Sequence, residues 1–516
     1  MHHLSKNQIR VQYSGFIIFV SQILSIATGL IFTLLLTRNM NTAQYGIWTN
    51  IFDYTAYFWL FSGVLPFWAT RFMARGKEGT VKTSVFAQFT IALVSTLAYF
   101  PAIILITKAI GTQTYLLIYL IAGLYVFNFY MVAIFEGVLR SIRPQVIGYG
   151  LLIEEAVKVA IALTVIVGLG QLFLGAILAL VVSALIQVVY YVWLLRDEFK
   201  QKTNWSYLKE WFKGSAVIAY SNIGGQLTSF VMVLLFYYGG SNTRAYYQAA
   251  FTFTNVIGFS ASLAFALYPK LLAKTCPDEQ VGTSFKTVMM LAIPLSTITI
   301  VMATSFLTML NIAYAVAWPV VIALTFDALV VLVSQFYGSC LMGAEAFDAE
   351  GKIHLRQLVK SKIFKVFTIT YIQAAIALPL TYFVLTALPV AGSVQAAVDV
   401  IAISFGVHLS TFIGLYLFMR KSIRLPVAWK SITKYVFVSV LMGIILFIVP
   451  TTSTLLFTVA KAVAGLAIYL ALLLAIDKQA RELLNLVVEE IRGTLRQLTS
   501  KNSGFQGKKD VLTSEN

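Results

Sequence analysis

Residues 14–37 read SGFIIFVSQILSIATGLIFTLLLT, with no Asp, Glu, Lys or Arg among them. The first 13 residues are polar and include Lys6 and Arg10. The apolar run that follows is too long for the core of a cleavable signal peptide, so it reads as a first membrane span. The rest of the chain repeats this pattern. Further apolar runs cover 45–69, 84–106, 115–139, 145–169, 172–195, 215–238, 246–269, 287–310, 317–341, 364–388, 396–418, 435–450 and 455–476.

Composition supports the same reading. Of 516 residues, 59% are apolar and 11% charged, with a mean hydropathy of +0.82. A soluble chain carries about 25% charged residues. A crossing of about 20 residues plus its connection occupies roughly 35 residues, which predicts about 14 helices. The expected fold class is an all-α polytopic membrane protein.

A net charge of +17 could suggest nucleic acid. The distribution of basic residues argues otherwise. Thirty-three Lys and Arg fall in the N-terminal segment, alternate loops and the C-terminal tail; the other loops hold only Arg38, Lys108 and Arg244. Cationic loops stay cytoplasmic, so this asymmetry predicts both termini inside and an even number of spans. Cys276 and Cys340 cannot form a disulfide framework or a zinc site. No phosphate-binding loop is present, because Gly76-Lys77-Glu78-Gly79 lacks the spacing. No segment is long enough for a soluble catalytic domain.

The two halves resemble each other. Asn41-Thr42-Ala43-Gln44-Tyr45 leads into the second span, and Asn242-Thr243-Arg244-Ala245-Tyr246 leads into the eighth, 201 residues later. Thr83-Ser84 has a counterpart near Ser284. These matches suggest two parallel six-helix bundles related by an axis along the membrane normal. The expected division is 1–195 for the first bundle, 196–214 for a cytoplasmic linker and 215–418 for the second bundle. Residues 419–476 form helices 13 and 14. The tail 477–516 reads as an amphipathic helix along the inner surface, followed by a disordered end.

Ionisable residues inside spans are costly and point to function. Asp53 lies in the second span, Glu154, Glu155 and Lys158 in the fifth, Asp327 in the tenth and His408 in the twelfth. Glu154 and Lys158 stand one turn apart and can pair on one helix face. The functional reading offers Lys158 to an anionic substrate; a self-neutralised structural pair is the competing one. Asp53 and Asp327 could each serve a site or simply bond a neighbouring helix, and His408 reads first as a packing histidine. Neutral polar groups cluster at Ser21, Gln22, Ser25 and Thr28, at Asn222 and Gln226, and at Gln248, Thr252 and Asn255. They could hydrogen-bond sugar hydroxyls or act as glue between helices. Gly224-Gly225 could be a hinge or a close packing point, and Pro66 and Pro269 could kink their helices.

The most specific stretch is Leu35-Leu36-Thr37-Arg38-Asn39-Met40-Asn41-Thr42-Ala43-Gln44-Tyr45-Gly46, followed by Phe61-Ser62-Gly63-Val64-Leu65-Pro66 and Thr70-Arg71-Phe72-Met73-Ala74. It resembles the opening of Wzx-type polysaccharide-biosynthesis flippases, within the multidrug/oligosaccharidyl-lipid/polysaccharide exporter superfamily. The resemblance implies two six-helix bundles around a V-shaped central cavity, with two extra helices. It implies a transporter, not an enzyme, that flips a lipid-linked oligosaccharide to the outer leaflet of the cell membrane by alternating access.

The diphosphate of such a substrate wants a cation, for which Arg38, Lys158 and Arg244 are candidates. Arg38 and Arg244 are expected in equivalent outer loops, near the outer mouth. Glu154, Asp53, Asn222, Gln226 and Asn255 complete the expected substrate-binding set, and Asp327 is the candidate for ion coupling. No cofactor or metal is implied. Expected partners are the lipid-linked oligosaccharide, membrane lipids, Na+ or H+, and glycosyltransferases or a polymerase of the same pathway. Nucleic acid is not among them.

Two departures narrow the substrate. The peptidoglycan-precursor branch carries arginines inside its first helices, and residues 14–37 hold none. The drug-exporting branch often uses a carboxylate in span one or seven, and neither span here has one. A cation-coupled multidrug exporter stays open through Asp327, and a membrane scaffold for glycan assembly is the third reading.

Overall fold

The computed structural model describes residues 11–264, 278–343, 362–388, 392–419, 429–450, 454–477 and 480–481. Among them there is no strand. The helices are α1 (Val11–Asn39), α2 (Thr42–Phe58), α3 (Val64–Ala74), α4 (Thr80–Ala109), α5 (Leu116–Ile142), α6 (Gln145–Ala162), α7 (Leu172–Leu195) and α8 (Ser206–Gly239). They continue as α9 (Ser241–Thr254), α10 (Asp278–Val301), α11 (Ala303–Leu310), α12 (Trp318–Gly343), α13 (Lys362–Ala387), α14 (Val394–Met419), α15 (Trp429–Ile448) and α16 (Leu455–Ile476).

Among the described residues, eleven helical segments are long and apolar enough to cross a membrane. Their outward faces carry large apolar side chains such as Leu105, Phe447 and Leu456, 69%, 80% and 83% exposed. Such faces match acyl chains and not water, and the chain is a multi-pass membrane protein.

Three other expected spans, 45–69, 145–169 and 246–269, are interrupted. The first breaks between α2 and α3, just ahead of Pro66. Proline has no N–H to give the carbonyl four residues back. That carbonyl belongs to Ser62, and the buried Gln88 of α4 donates its Nε2 to it at 2.9 Å. The second runs from α6 into a π-helical turn, Leu163–Gly168, and its α6 part carries Glu154, Glu155 and Lys158. The third passes from α9 into a 3-10 stretch, Asn255–Ala264. Pro269, Cys276 and the expected amphipathic tail helix from Arg481 onward lie outside the described residues, apart from Arg481 itself.

The two similar motifs meet in space. Asn41 caps α2 by accepting from the Gln44 N–H at 2.8 Å, while Gln44 Oε1 accepts from the Asn41 N–H at 3.0 Å, a reciprocal capping box. The start of α2 packs on the start of α9, and Thr42 Oγ1 donates to Asn242 Oδ1 at 2.8 Å. Gly46 allows this approach, because a Cβ there would stand 1.9 Å from the Ser241 carbonyl oxygen. Tyr45 and Tyr246, 201 positions apart in the sequence, both pack edge-on against the buried Tyr314.

Elsewhere α1 packs on α6, α5 on α4 and α7, α8 on α13, α12 on α14, and α10 on α15. The long α8 also packs on α2 and α3. Its Trp211 is fully buried among Leu65, Phe72, Val81 and Leu139, whereas Val231 and Leu235 sit with Ala377 and Val400. The segment before it is strapped to the loop ahead of α4 and to the first turn of that helix. Gly79 N donates to Gln201 Oε1 at 2.6 Å, and Asn204 N donates to Thr83 Oγ1 at 2.8 Å.

Candidate functional site

A cavity of about 520 Å³ lies between α1, α9 with its 3-10 extension, α10, α11 and α16. Most of its wall is apolar, including Leu30, Phe251, Phe306 and Val463. Ser25, Thr33, Gln248, Thr252, Asn255 and Thr299 supply polar groups. Two of these lead directly to buried ion pairs.

Ser25 Oγ donates to Glu155 Oε1 at 2.7 Å, and Thr28 Oγ1 donates to Glu155 Oε2 at 2.5 Å. Lys158 Nζ pairs with Glu155 Oε2 at 2.7 Å. The carboxylate thus holds two hydroxyls and an ammonium, which is the satisfaction a buried charge needs. The ion pair expected between Glu154 and Lys158 is therefore formed by Glu155 instead. On a helix, positions three and four apart are both neighbours of Lys158. The hydroxyls of α1 select Glu155, the one that faces them.

Gln248 leads to the second pair. Its Oε1 accepts from Arg244 Nη1 at 3.1 Å. Arg244 Nε and Nη2 each donate to Asp53 at 2.8 Å, a bidentate contact between α9 and α2. The guanidinium carbon also stands 5.7 Å from the centre of the Tyr247 ring. Arg244 was expected in an outer loop; it is 4% exposed. The reason is that α9 already begins at Ser241, so Arg244 sits in a helical turn against α2 and requires a buried partner. Arg38 is exposed at the end of α1 and donates through Nη2 to the Met309 carbonyl at 2.9 Å. Nearby, Asn311 Nδ2 donates to the Thr37 carbonyl at 3.2 Å.

A second cavity, also about 520 Å³, is bounded by α9, its 3-10 extension, α12 and α14. Asp327 and His408 line it, with His408 Nδ1 2.7 Å from Asp327 Oδ1. His408, first read as a packing residue, is the partner of Asp327. Phe251, Asn255 and Phe259 line both cavities, so Asn255 stands between the two.

Asn222 and Gln226 occupy a different place. Asn222 Nδ2 donates to the Leu60 carbonyl at 3.0 Å, and the Gln226 carbonyl accepts from Tyr57 Oη at 3.4 Å. Both lie on the α2–α8 seam and line neither cavity. Tyr247 and Gln335, which line the second cavity, were missed, although Gln335 is a polar residue inside the expected span 317–341. Ser25, Thr28 and Gln248 were visible as polar clusters, and Glu155 and Arg244 as charges, but not that they pair with each other. Among the described residues, no group of three or more His, Cys, Asp or Glu side chains could hold a metal ion.

The model of a family described as polysaccharide biosynthesis protein matches residues 13–275. Several solved structures share the fold. The lipid II flippase MurJ in an inward closed conformation is 14% identical, with a TM-score of 0.64, covering 91% of this chain and 100% of that one. A multidrug resistance MATE family transporter of the MOP superfamily in an inward-facing conformation is 12% identical, with a TM-score of 0.60, covering 77% of this chain and 95% of that one. An outward-facing conformation of such a transporter gives a TM-score of 0.54 at 12% identity, covering 79% and 94%. No curated protein matches by sequence.

Proposed function

We propose, because the chain belongs to the polysaccharide biosynthesis protein family, that it is a transporter and that it flips a lipid-linked oligosaccharide from the cytoplasmic to the outer leaflet by alternating access. The observation that carries this reading is the first cavity. One polar wall residue, Ser25, bonds the Glu155–Lys158 pair, and another, Gln248, bonds the Asp53–Arg244 pair. A hydroxyl stripped of its hydrogen bonds in hydrocarbon costs several kcal/mol. Ser25, Thr252, Asn255 and Gln248 offset that cost for a sugar headgroup, while the lipid tail stays in the bilayer. Lys158 is the cation for the phosphates.

In this reading the three interrupted segments are crossings too, which makes 14 with the eleven long ones. Discontinuous helices commonly line transporter sites. Residues 1–195 and 215–418 form two parallel six-helix bundles around a V-shaped cavity. Residues 419–476 are the two extra helices, and both termini are cytoplasmic. The shared packing of Tyr45 and Tyr246 on Tyr314 supports the duplication. Asp53–Arg244, Thr42–Asn242 and Arg38 on the Met309 carbonyl then form an outer latch that parts when the cavity opens outward. The Asp327–His408 pair couples that motion to Na+ or H+. Glycosyltransferases or a polymerase of the same pathway supply and receive the substrate.

The test is a leaflet-resolved assay of lipid-linked sugar in cells lacking the protein. Accumulation on the inner leaflet is expected; unchanged outer glycan in a strain without paralogues refutes the reading. One observation favours a second reading, cation-coupled export of small organic cations: the Asp327–His408 pair opens onto its own cavity. Drug resistance on expression, lost in Asp327→Asn, would select it.

A further inference from the structure

One recess is independent of both cavities. It lies between α13 and α14, holds about 340 Å³ and shares no lining residue with either. Its walls include Val366, Ile369, Ile372, Ile376, Val407 and Leu415. Gly414 opens it, because a Cβ there would meet no atom within 4 Å.

The polar groups of the recess are already engaged. Gln373 Nε2 donates to Thr411 Oγ1 at 3.1 Å, and Thr411 Oγ1 donates to the Val407 carbonyl at 2.9 Å. Ser410 Oγ donates to the Gly406 carbonyl at 2.8 Å. Such a surface suits hydrocarbon and offers little to a sugar.

Lys365 is the one charged residue lining the recess, and it is exposed in the first turn of α13. The sequence leading into α13 is basic, with Lys352, Arg356, Lys360, Lys362 and Lys365 close together. Basic clusters at the cytoplasmic end of a membrane helix attract anionic lipid.

We propose that this recess is a binding site for an anionic bilayer phospholipid, with an acyl chain along Ile369, Ile372 and Gly414 and the phosphate at Lys365. The apolar lining selects a chain, and the single cation at one end selects the headgroup. Because the recess is separate from the cavity assigned to substrate, its occupant is a resident of the bilayer and not the substrate's own tail.

The test uses the purified full chain in mild detergent, probed by native mass spectrometry with dioleoyl phosphatidylglycerol, dioleoyl phosphatidylcholine and a polyprenyl phosphate. Phosphatidylglycerol should be retained about fivefold better than phosphatidylcholine, the effect of one lysine near an anionic headgroup. Lys365→Gln should bring the two lipids level. Gly414→Trp should remove one bound lipid, and Ile372→Trp, from the opposite wall, should do the same if the first variant fails to fold. Equal retention of both phospholipids by the parent protein, or a full lipid complement in both tryptophan variants, overturns the proposal. So does displacement of phosphatidylglycerol by the polyprenyl phosphate, which would give the recess to the substrate.

Discussion

Arg244 grips Asp53 through two hydrogen bonds of 2.8 Å across the α2–α9 contact, although 191 positions separate them in the chain. A planar guanidinium matches a carboxylate at both oxygens, which an ammonium cannot do. Removing either partner leaves a buried charge alone, at a cost of about 3–5 kcal/mol. Arg244→Ala and Asp53→Asn should therefore lower the melting temperature in detergent and abolish transport. Arg244→Lys should recover part of the stability, and the exchanged pair Asp53→Arg with Arg244→Asp more than either single reversal. Full transport in Asp53→Asn would remove the pair from the mechanism.

The fifth expected span holds two adjacent glutamates with different fates. Glu155 carries two hydroxyl bonds and Lys158, and Glu154 shares none of these contacts. Losing a charge-assisted bond of this kind is worth about tenfold or more. Glu155→Gln and Lys158→Ala should reduce leaflet transfer by that factor, with Glu154→Gln much milder. The reverse order would assign substrate contact to Glu154.

Asp327 and His408 form an intramembrane pair on α12 and α14. If they couple transport to an ion, collapsing the Na+ or H+ gradient should slow the parent protein. The same treatment should leave the residual rate of Asp327→Asn unchanged. A variant that remains as gradient-dependent as its parent would move coupling elsewhere.

Gly46 is a packing test of the α2–α9 contact. Any Cβ there collides with the Ser241 backbone, not with a movable side chain. Gly46→Val should destabilise the protein by about 1–3 kcal/mol, read as a lower melting temperature. An unchanged melting temperature would mean that the two helices do not meet at this distance.

Much of the architecture was legible because a bilayer imposes local rules. A segment must be apolar and long to cross, and cationic loops are retained on one side. These rules act on one stretch at a time, so residues 14–37 already identify a membrane chain. The interrupted spans were less legible. Pro66 marked a break, but the hydrogen bond that Gln88 donates to the freed Ser62 carbonyl depends on α4 lying alongside.

The sequence by itself determined that this is a helical membrane protein, where most of its spans run and which residues carry charge inside them. Only the tertiary structure decided how those charges are used: Glu155 and not Glu154 with Lys158, Arg244 with Asp53, and His408 with Asp327. The reason is physical. Hydrophobic transfer is set by the composition of a segment, whereas a buried charge is stable only beside a specific oppositely charged or hydrogen-bonding group. That group comes from whichever helix the packing brings next to it.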